Sequence, residues 1–150
     1  MDLFEYQGKL HIGRFGVAVP EGDIARTPEE AEAIAELLGC PVVVKAQVRA
    51  GGRGKAGGIK VAATRGEVAA NAASILGMEI GGQRVGTVLV EPAVDIASEH
   101  YASFTVDRAG RCHLAIASAS GGVEIEEVAI DNPDAVVRMQ VDPLNGFGAD

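Results

Sequence analysis

Cysteine is scarce in this chain: Cys40 and Cys112 stand far apart among 150 residues, in neither a CxxC pair nor a metal-ligand spacing. That argues against a thiol redox motif or a cysteine metal site, and both thiols are expected as small buried groups of a reducing cytosol. The three histidines, His11, His100 and His113, have no partner at catalytic or metal spacing and are expected at the surface or half-buried. No apolar run approaches the length that spans a bilayer, and MDLFEYQ lacks the basic start and apolar stretch of a signal peptide. A cytoplasmic protein without a membrane partner is the expectation. Positive charge is short as well. A formal net charge of −8 counts against a general nucleic-acid binder, whose footprint would be basic.

What is present is enough for a folded domain. A chain of 150 residues can bury a real core and is most simply one domain or part of a larger one. DLFE places Asp2 and Glu5 at capping-box spacing and opens a helix with Leu3, Tyr6, Leu10 and Phe15 on one face. Gly8 and Gly13 weaken it by ~1 kcal/mol each relative to Ala, so it needs tertiary support. Gly16 ends it, and VAVPEG follows as an extended link. TPEEAEAIAELLGC predicts a helix with Thr27 as cap, Pro28 in the first turn, Glu30 closing the box and Gly39 just past the end. PVVVKAQV reads as a buried strand and GIKVAA as another, with Ile59 and Val61 alternating against Lys60. Thr64 and Glu67 cap a helix running to Leu76, and TVLVEP is a further strand. HYASFTVDR and CHLAIASAS form a hairpin across DRAGR. SGGVEIEEVA is expected as a glycine turn into an acidic strand or turn, and Asn132-Pro133 as the start of a last helix. VDPLNGFGAD shows no closing element. The class is mixed α and β.

Six of the thirteen Lys and Arg residues fall between Lys45 and Arg65, with no acid among them, and Gly51, Gly52, Gly54, Gly57 and Gly58 crowd the same stretch. A cationic, glycine-dense island in an acidic chain suits an anion held at close range. GRGKAG satisfies G-x-G-x-x-G, but a strand follows where a dinucleotide site needs a helix. Lys55 is followed by Ala56, so a P-loop's magnesium-binding hydroxyl is missing. Strand, loop, strand remains: a flap over nucleotide phosphates, with Lys45 on the strand before it rather than after it as in kinases. A solvated basic hairpin is the alternative.

LFEYQGK, VVVKAQVRAGGRGKAGGIKVA, VLVEPAVDIASEHY and GGVEIEEVA, in this order over essentially the whole chain, resemble the β subunits of the succinate–CoA ligase (succinyl-CoA synthetase) family, read from their N-terminus. The resemblance implies an ATP-grasp fold holding the nucleotide between two lobes, with residues 21–94 in the smaller lobe and 1–20 with 95–150 opening the second. It implies phosphate contacts from Lys45, Gly52, Arg53 and Gly54, a hinge position beside the adenine at Glu91, a nearby contact at Val94 and ribose recognition by Glu99. A strand end delivering Glu91, with Glu99 a short loop later, offers acceptors for a base amine and a ribose diol. The implied reaction is ADP-forming: ATP, succinate and CoA give ADP, phosphate and succinyl-CoA in the tricarboxylic acid cycle, with an α subunit as partner in a heterodimer or heterotetramer. A malate–CoA ligase β subunit, or a nucleotide-binding or subunit-association module without turnover, is the alternative.

The chain also departs from that family. Its relatives run well beyond one typical domain, so the fold is expected to be incomplete at the C-terminus, with the magnesium ligands and the CoA-ligase domain outside these residues. No catalytic residue and no metal ligand is assigned within them, and the chain alone is expected to be inactive. Gly8 stands where relatives carry a helix former. Pro20 stands where guanine-preferring relatives tend to carry Gln, which points to adenine.

Overall fold

The computed structural model describes residues 2–147; Gly148, Ala149 and Asp150 of the expected tail lie outside the described residues. The chain divides into two compact units after Val94. Residues 2–20, expected with 95–150, fall in the first unit.

The first unit opens with helix α1, Glu5–Gly13. The Asp2–Glu5 box does not start it: Phe4 is the N-cap residue, and the Gln7 side chain accepts a hydrogen bond from the Phe4 N–H at 3.0 Å. The helix buries no residue, and Leu10 and Phe15 of its expected apolar face are 65% and 77% exposed. Its hold on the unit is polar. Strand β1 is Asp23–Ala25, inside the stretch left without an element by the sequence. Helix α2, Pro28–Leu38, begins as predicted, with Thr27 Oγ1 accepting from the Glu30 N–H at 3.2 Å. Gly39, at φ +80°, adopts the left-handed backbone that ends it.

Strands β2, Val42–Ala46, and β3, Ile59–Ala62, pair antiparallel, and helix α3, Arg65–Ile75, follows with Thr64 as its cap. A two-residue ribbon of β4, Glu79–Ile80, and β5, Gln83–Arg84, leads to strand β6, Val88–Pro92. The main sheet is ordered β1-β6-β2-β3 and every pairing in it is antiparallel. Period-two alternation sorts its faces. Val42, Val44, Ala46, Val88 and Val90 lie buried with Ala31 and Ala35 of α2 and with Val68, Ala72 and Ile75 of α3.

The register corrects the expectation for β3. Lys60 pairs with Val44, and its ammonium reaches Ser74 Oγ at 2.7 Å, on the helix side. Ile59 and Val61 pair with Lys45 and Val43 on the opposite face, 37% and 65% exposed. A lysine stem can lie along an apolar helix while its charge reaches water, so the charged residue takes the side the pattern reserved for apolar ones.

The second unit contains β7, Tyr101–Asp107, and β8, Cys112–Ser118, whose turn is closed by Asp107 Oδ1 accepting from the N–H groups of Ala109 and Gly110 at 3.0 and 2.9 Å. Two expectations fail beyond it. The acidic segment is helix α4, Ile125–Asp131, with Glu126 and Glu127 in its first turn, where negative charge favours the helix N-terminus. The expected last helix is a single 3-10 turn, Pro133–Ala135, and Val136–Val141 form strand β9 against β8. The β-branched valines favour the strand, and β8 offers the hydrogen bonds to complete it. The cysteines also differ from expectation: Cys40 is exposed, beside the cis peptide bond to Pro41, and Cys112 is half-buried. Among the described residues no helix is long and apolar enough to cross a membrane.

Ile75 is fully buried, whereas Leu37, on the neighbouring helix, is 87% exposed. Ile75→Ala is expected to lower the unfolding free energy by about 2–5 kcal/mol and Leu37→Ala by less than about 0.5 kcal/mol, as read by urea denaturation. Equal losses at the two positions would contradict this placement of the core.

Candidate functional site

The face of the main sheet opposite the helices carries Val43 and Lys45 on β2 with Leu89 and Glu91 on β6, since Val43 pairs with Glu91 and Lys45 with Leu89. Glu91 is 3% exposed. A carboxylate so deeply placed needs partners, and it has two lysines. One oxygen accepts from Lys45, and the other lies 2.5 Å from the Lys9 ammonium of α1. Glu5, one helical turn before Lys9, meets it at 2.9 Å. Glu5 also lies 3.3 Å from Lys45 and 2.7 Å from the Arg53 guanidinium. The same guanidinium donates to the Ala46 carbonyl at 3.1 Å. Three cations and two carboxylates thus form one connected cluster with a surplus of one positive charge.

Burial works to raise the Glu5 carboxyl, but hydrogen bonds to Lys9 and Arg53 and the charge of Lys45 outweigh it, leaving it at about 2. Burial pulls the Lys9 ammonium down, and its contacts with Glu91 and Glu5 more than reverse this, so it sits above its ordinary range.

The glycine-rich loop is wound into successive turns rather than splayed open. Ala56 N–H donates to the Gly52 carbonyl at 3.0 Å, Gly57 N–H to Gly54 at 3.0 Å and Gly58 N–H to Arg53 at 2.8 Å. Apart from the glycine and its chain neighbours, no protein atom lies within 4 Å of where a side chain at Gly52 or Gly54 would begin, so the backbone there is open to approach from outside. Gly52 has φ +73°, a conformation that disfavours any other residue. Gly58 is glycine for a different reason: a Cβ would stand 2.7 Å from Ile80 and 3.1 Å from Ala46 in the core.

Two hollows border the cluster. One of about 140 Å³ has Leu10, Pro20, Ile24 and Leu89 in its walls and Lys9 and Glu91 among its polar groups. A wider, open one of about 680 Å³ is bordered by Glu5, Arg49, Ala50 and Arg53. Cations at the foot of a glycine loop, beside a small apolar hollow, can bind a polyanion carrying a flat apolar group. Among the described residues no group of three or more His, Cys, Asp and Glu side chains is placed to hold a metal. Both carboxylates of the cluster are engaged by cations, so these residues do not fit a magnesium site.

Of the residues singled out in the sequence, Lys45, Arg53 and Glu91 come together, with Gly52 and Gly54 flanking Arg53. The Glu91 carboxylate, expected to be free for a base amine, is held by two lysines, and Lys45 is paired rather than free. Val94, 62% exposed, closes the first unit. Glu99 belongs to the second unit, where its carbonyl accepts from the Gly121 N–H at 3.0 Å. His11, His100 and His113 are all exposed. Sequence reasoning missed Glu5, Lys9 and Gln47. Gln47, 3% exposed, accepts from the Tyr6 N–H at 3.2 Å and so ties α1 to the end of β2. The Glu5–Lys9 spacing of four residues was the available signal.

A mixed α and β domain with a glycine loop between antiparallel strands, and a cationic cluster at its foot, defines a nucleotide-clamping class. The chain belongs to the ATP-grasp domain family, whose profile matches residues 2–150. It is similar to the succinate–CoA ligase [GDP-forming] subunit beta of Thermus thermophilus, 52% identical over 147 residues, which are 98% of this chain and 39% of that protein. It thus spans about two fifths of that relative's length. Among solved structures, the dinucleotide-forming acetyl-coenzyme A synthetase 1 of Ca. Korarchaeum cryptofilum matches 92% of this chain and 59% of its own at a TM-score of 0.76 and 20% identity. ATP citrate lyase of Methanothrix soehngenii matches 97% of this chain and 36% of its own at 0.70 and 22%. These two likenesses are ones of fold.

The low Glu5 value fixes a sign. Its unfolded carboxyl titrates near 4.5 and its folded one at about 2, so its contribution is complete above 4.5 and disappears as pH falls towards 2. Between those limits the unfolding free energy should drop by ~3 kcal/mol more in the wild type than in Glu5→Gln, as read by urea denaturation across the acid range. Parallel acid limbs would contradict the network.

Gly121 is a tight approach of a different kind, since a Cβ would stand 2.6 Å from the Glu99 carbonyl carbon and the His100 nitrogen. Gly121→Ala should destabilise the second unit by about 1–3 kcal/mol and shift the amide resonances of residues 99 and 100. Unchanged resonances there would refute the contact.

Proposed function

We propose that this chain is the nucleotide-binding portion of the β subunit of an ADP-forming succinate–CoA ligase. The observation that carries the reading is the convergence of Lys45 and Arg53 at the foot of a glycine loop with uncovered backbone, on a chain 52% identical to a succinate–CoA ligase subunit beta. In this reading the loop backbone around Gly52 and Gly54 and the two cations receive the phosphates, and electrostatic clamping is what these residues contribute to phosphoryl transfer. The hollow lined by Leu10, Pro20 and Leu89 takes the base, next to Glu91 of β6, and Val94 follows two residues after that strand. Glu91 acts by anchoring Lys45 and Lys9 rather than as a free acceptor. Magnesium would supply charge neutralisation at the phosphates, and in this reading the residues that would hold it lie outside those described. Succinate, CoA and an α subunit are the partners of the complete enzyme.

The second reading is GTP as the nucleotide, favoured by the GDP-forming name of the Thermus relative; Pro20 favours ATP. Calorimetric titration of the chain with ATP and GTP separates the two. Arg53→Ala should weaken binding of the preferred nucleotide by about 1.5–3 kcal/mol, the range of a charge-assisted hydrogen bond, with only a modest loss of thermal stability, because Glu5 keeps Lys9 and Lys45. Lys45→Ala should weaken binding similarly but also lower stability, because buried Glu91 would keep only Lys9. Nucleotide affinity indifferent to both substitutions would remove the phosphate assignment.

A further inference from the structure

The two carboxylates of the cluster differ in standing. Glu91 is buried on a central strand. Glu5 rides on a helix that buries no residue of its own. Its Oε1 lies 2.9 Å from Lys9 Nζ on the same helix and 3.3 Å from Lys45 Nζ, and its Oε2 lies 2.7 Å from Arg53 Nη1, so it reaches both cations assigned to phosphate. A carboxylate bridging an ammonium and a guanidinium presents the same acceptor chemistry as a phosphate group bound there.

The other members of the cluster keep partners without it. Without Glu5, Lys45 keeps Glu91 and Arg53 keeps the Ala46 carbonyl. Helix α1 keeps the Lys9–Glu91 pair and the Tyr6–Gln47 hydrogen bond. Glu5 can therefore leave Lys45 and Arg53 while the helix stays docked.

We propose that Glu5 is a built-in counter-anion of the phosphate site, a specificity-determining residue that occupies Lys45 and Arg53 until a polyphosphate displaces it. The inference rests on the nucleotide reading above and names a residue to which the resemblance assigns no role. Its physical content is competition. A ligand must replace the Glu5 pairs with Lys45 and Arg53, and a polyphosphate brings more charge and more acceptor oxygens to the two cations than a single small anion does. Selection of this kind acts by penalising the wrong ligand as much as by attracting the right one. The carboxyl titrates at about 2, so the competitor is charged at any pH near neutrality and acts constantly.

Inorganic triphosphate and ATP, titrated calorimetrically into the wild-type chain, Glu5→Gln and Glu5→Asp, test this. Glu5→Gln should bind both about three- to tenfold more tightly than wild type, the amide being neutral, and Glu5→Asp should stay within about twofold of it. A second measurement needs no variant: on saturation with triphosphate, the carboxylate carbon resonance of Glu5 should move while that of Glu91 stays in place. Equal or weaker binding by Glu5→Gln, or a Glu5 resonance that does not respond while triphosphate binds, overturns the proposal and leaves the nucleotide reading standing. Failure of every form to bind ATP and triphosphate overturns both.

Discussion

Glu91 is the residue on which the candidate site is built. It sits on an inner strand of the main sheet with almost no access to water, and a carboxylate in that position is tolerated only with cations at hand. Lys45 comes from the adjacent strand and Lys9 from the first helix, so one buried charge draws together segments far apart in the chain. The polar tethers matter because α1 contributes no buried apolar residue of its own. Its position on the sheet is an electrostatic fact before it is a packing one. The same pairing gives the helix its place beside the glycine loop, where Glu5 reaches Arg53.

Charge in this protein is organised against its average. The chain carries −8 overall, yet the sheet face beneath the glycine loop gathers three cations around two carboxylates. In a partly buried setting such a cluster is screened less than surface pairs are, so its balance bears on what can bind there. The small surplus suits an anion of high charge density. The glycines divide the remaining work. Gly52 gives the loop its left-handed turn, Gly58 lets the loop return against the core, and Gly54 leaves backbone uncovered.

Much of the architecture was legible in the sequence because its signals are local. Thr27-Pro28 with Glu30, and Thr64 with Glu67, mark helix starts through bonds made within one turn, and both helices begin there. The valine runs of β2 and β6 and the hairpin of β7 and β8 follow from residue type and turn chemistry of the same short range. The glycine-rich loop and the cations around it also announced themselves by composition, and family membership follows from motifs that span the chain. Lys45, Arg53 and Glu91 were visible as candidates for that reason.

What the tertiary structure decided lies where two segments compete for one role. EIEEVAI became a helix and VVRMQV a strand because β8 had an open edge that the valines could fill, information absent from either segment alone. The side of the sheet taken by Ile59 and Val61 was set by register with β2, which alternation leaves two-fold ambiguous. Glu5, Lys9 and Gln47 looked like ordinary surface residues of a helix and a strand end. They became members of the site only when folding carried α1 over buried Glu91, and long-range charge pairing of that kind leaves no periodic trace in a sequence. By itself the sequence determined the local elements and the identity of the loop, through short-range steric and hydrogen-bonding preferences. Only the tertiary structure decided which charges meet, because a buried carboxylate selects its partners by proximity in space.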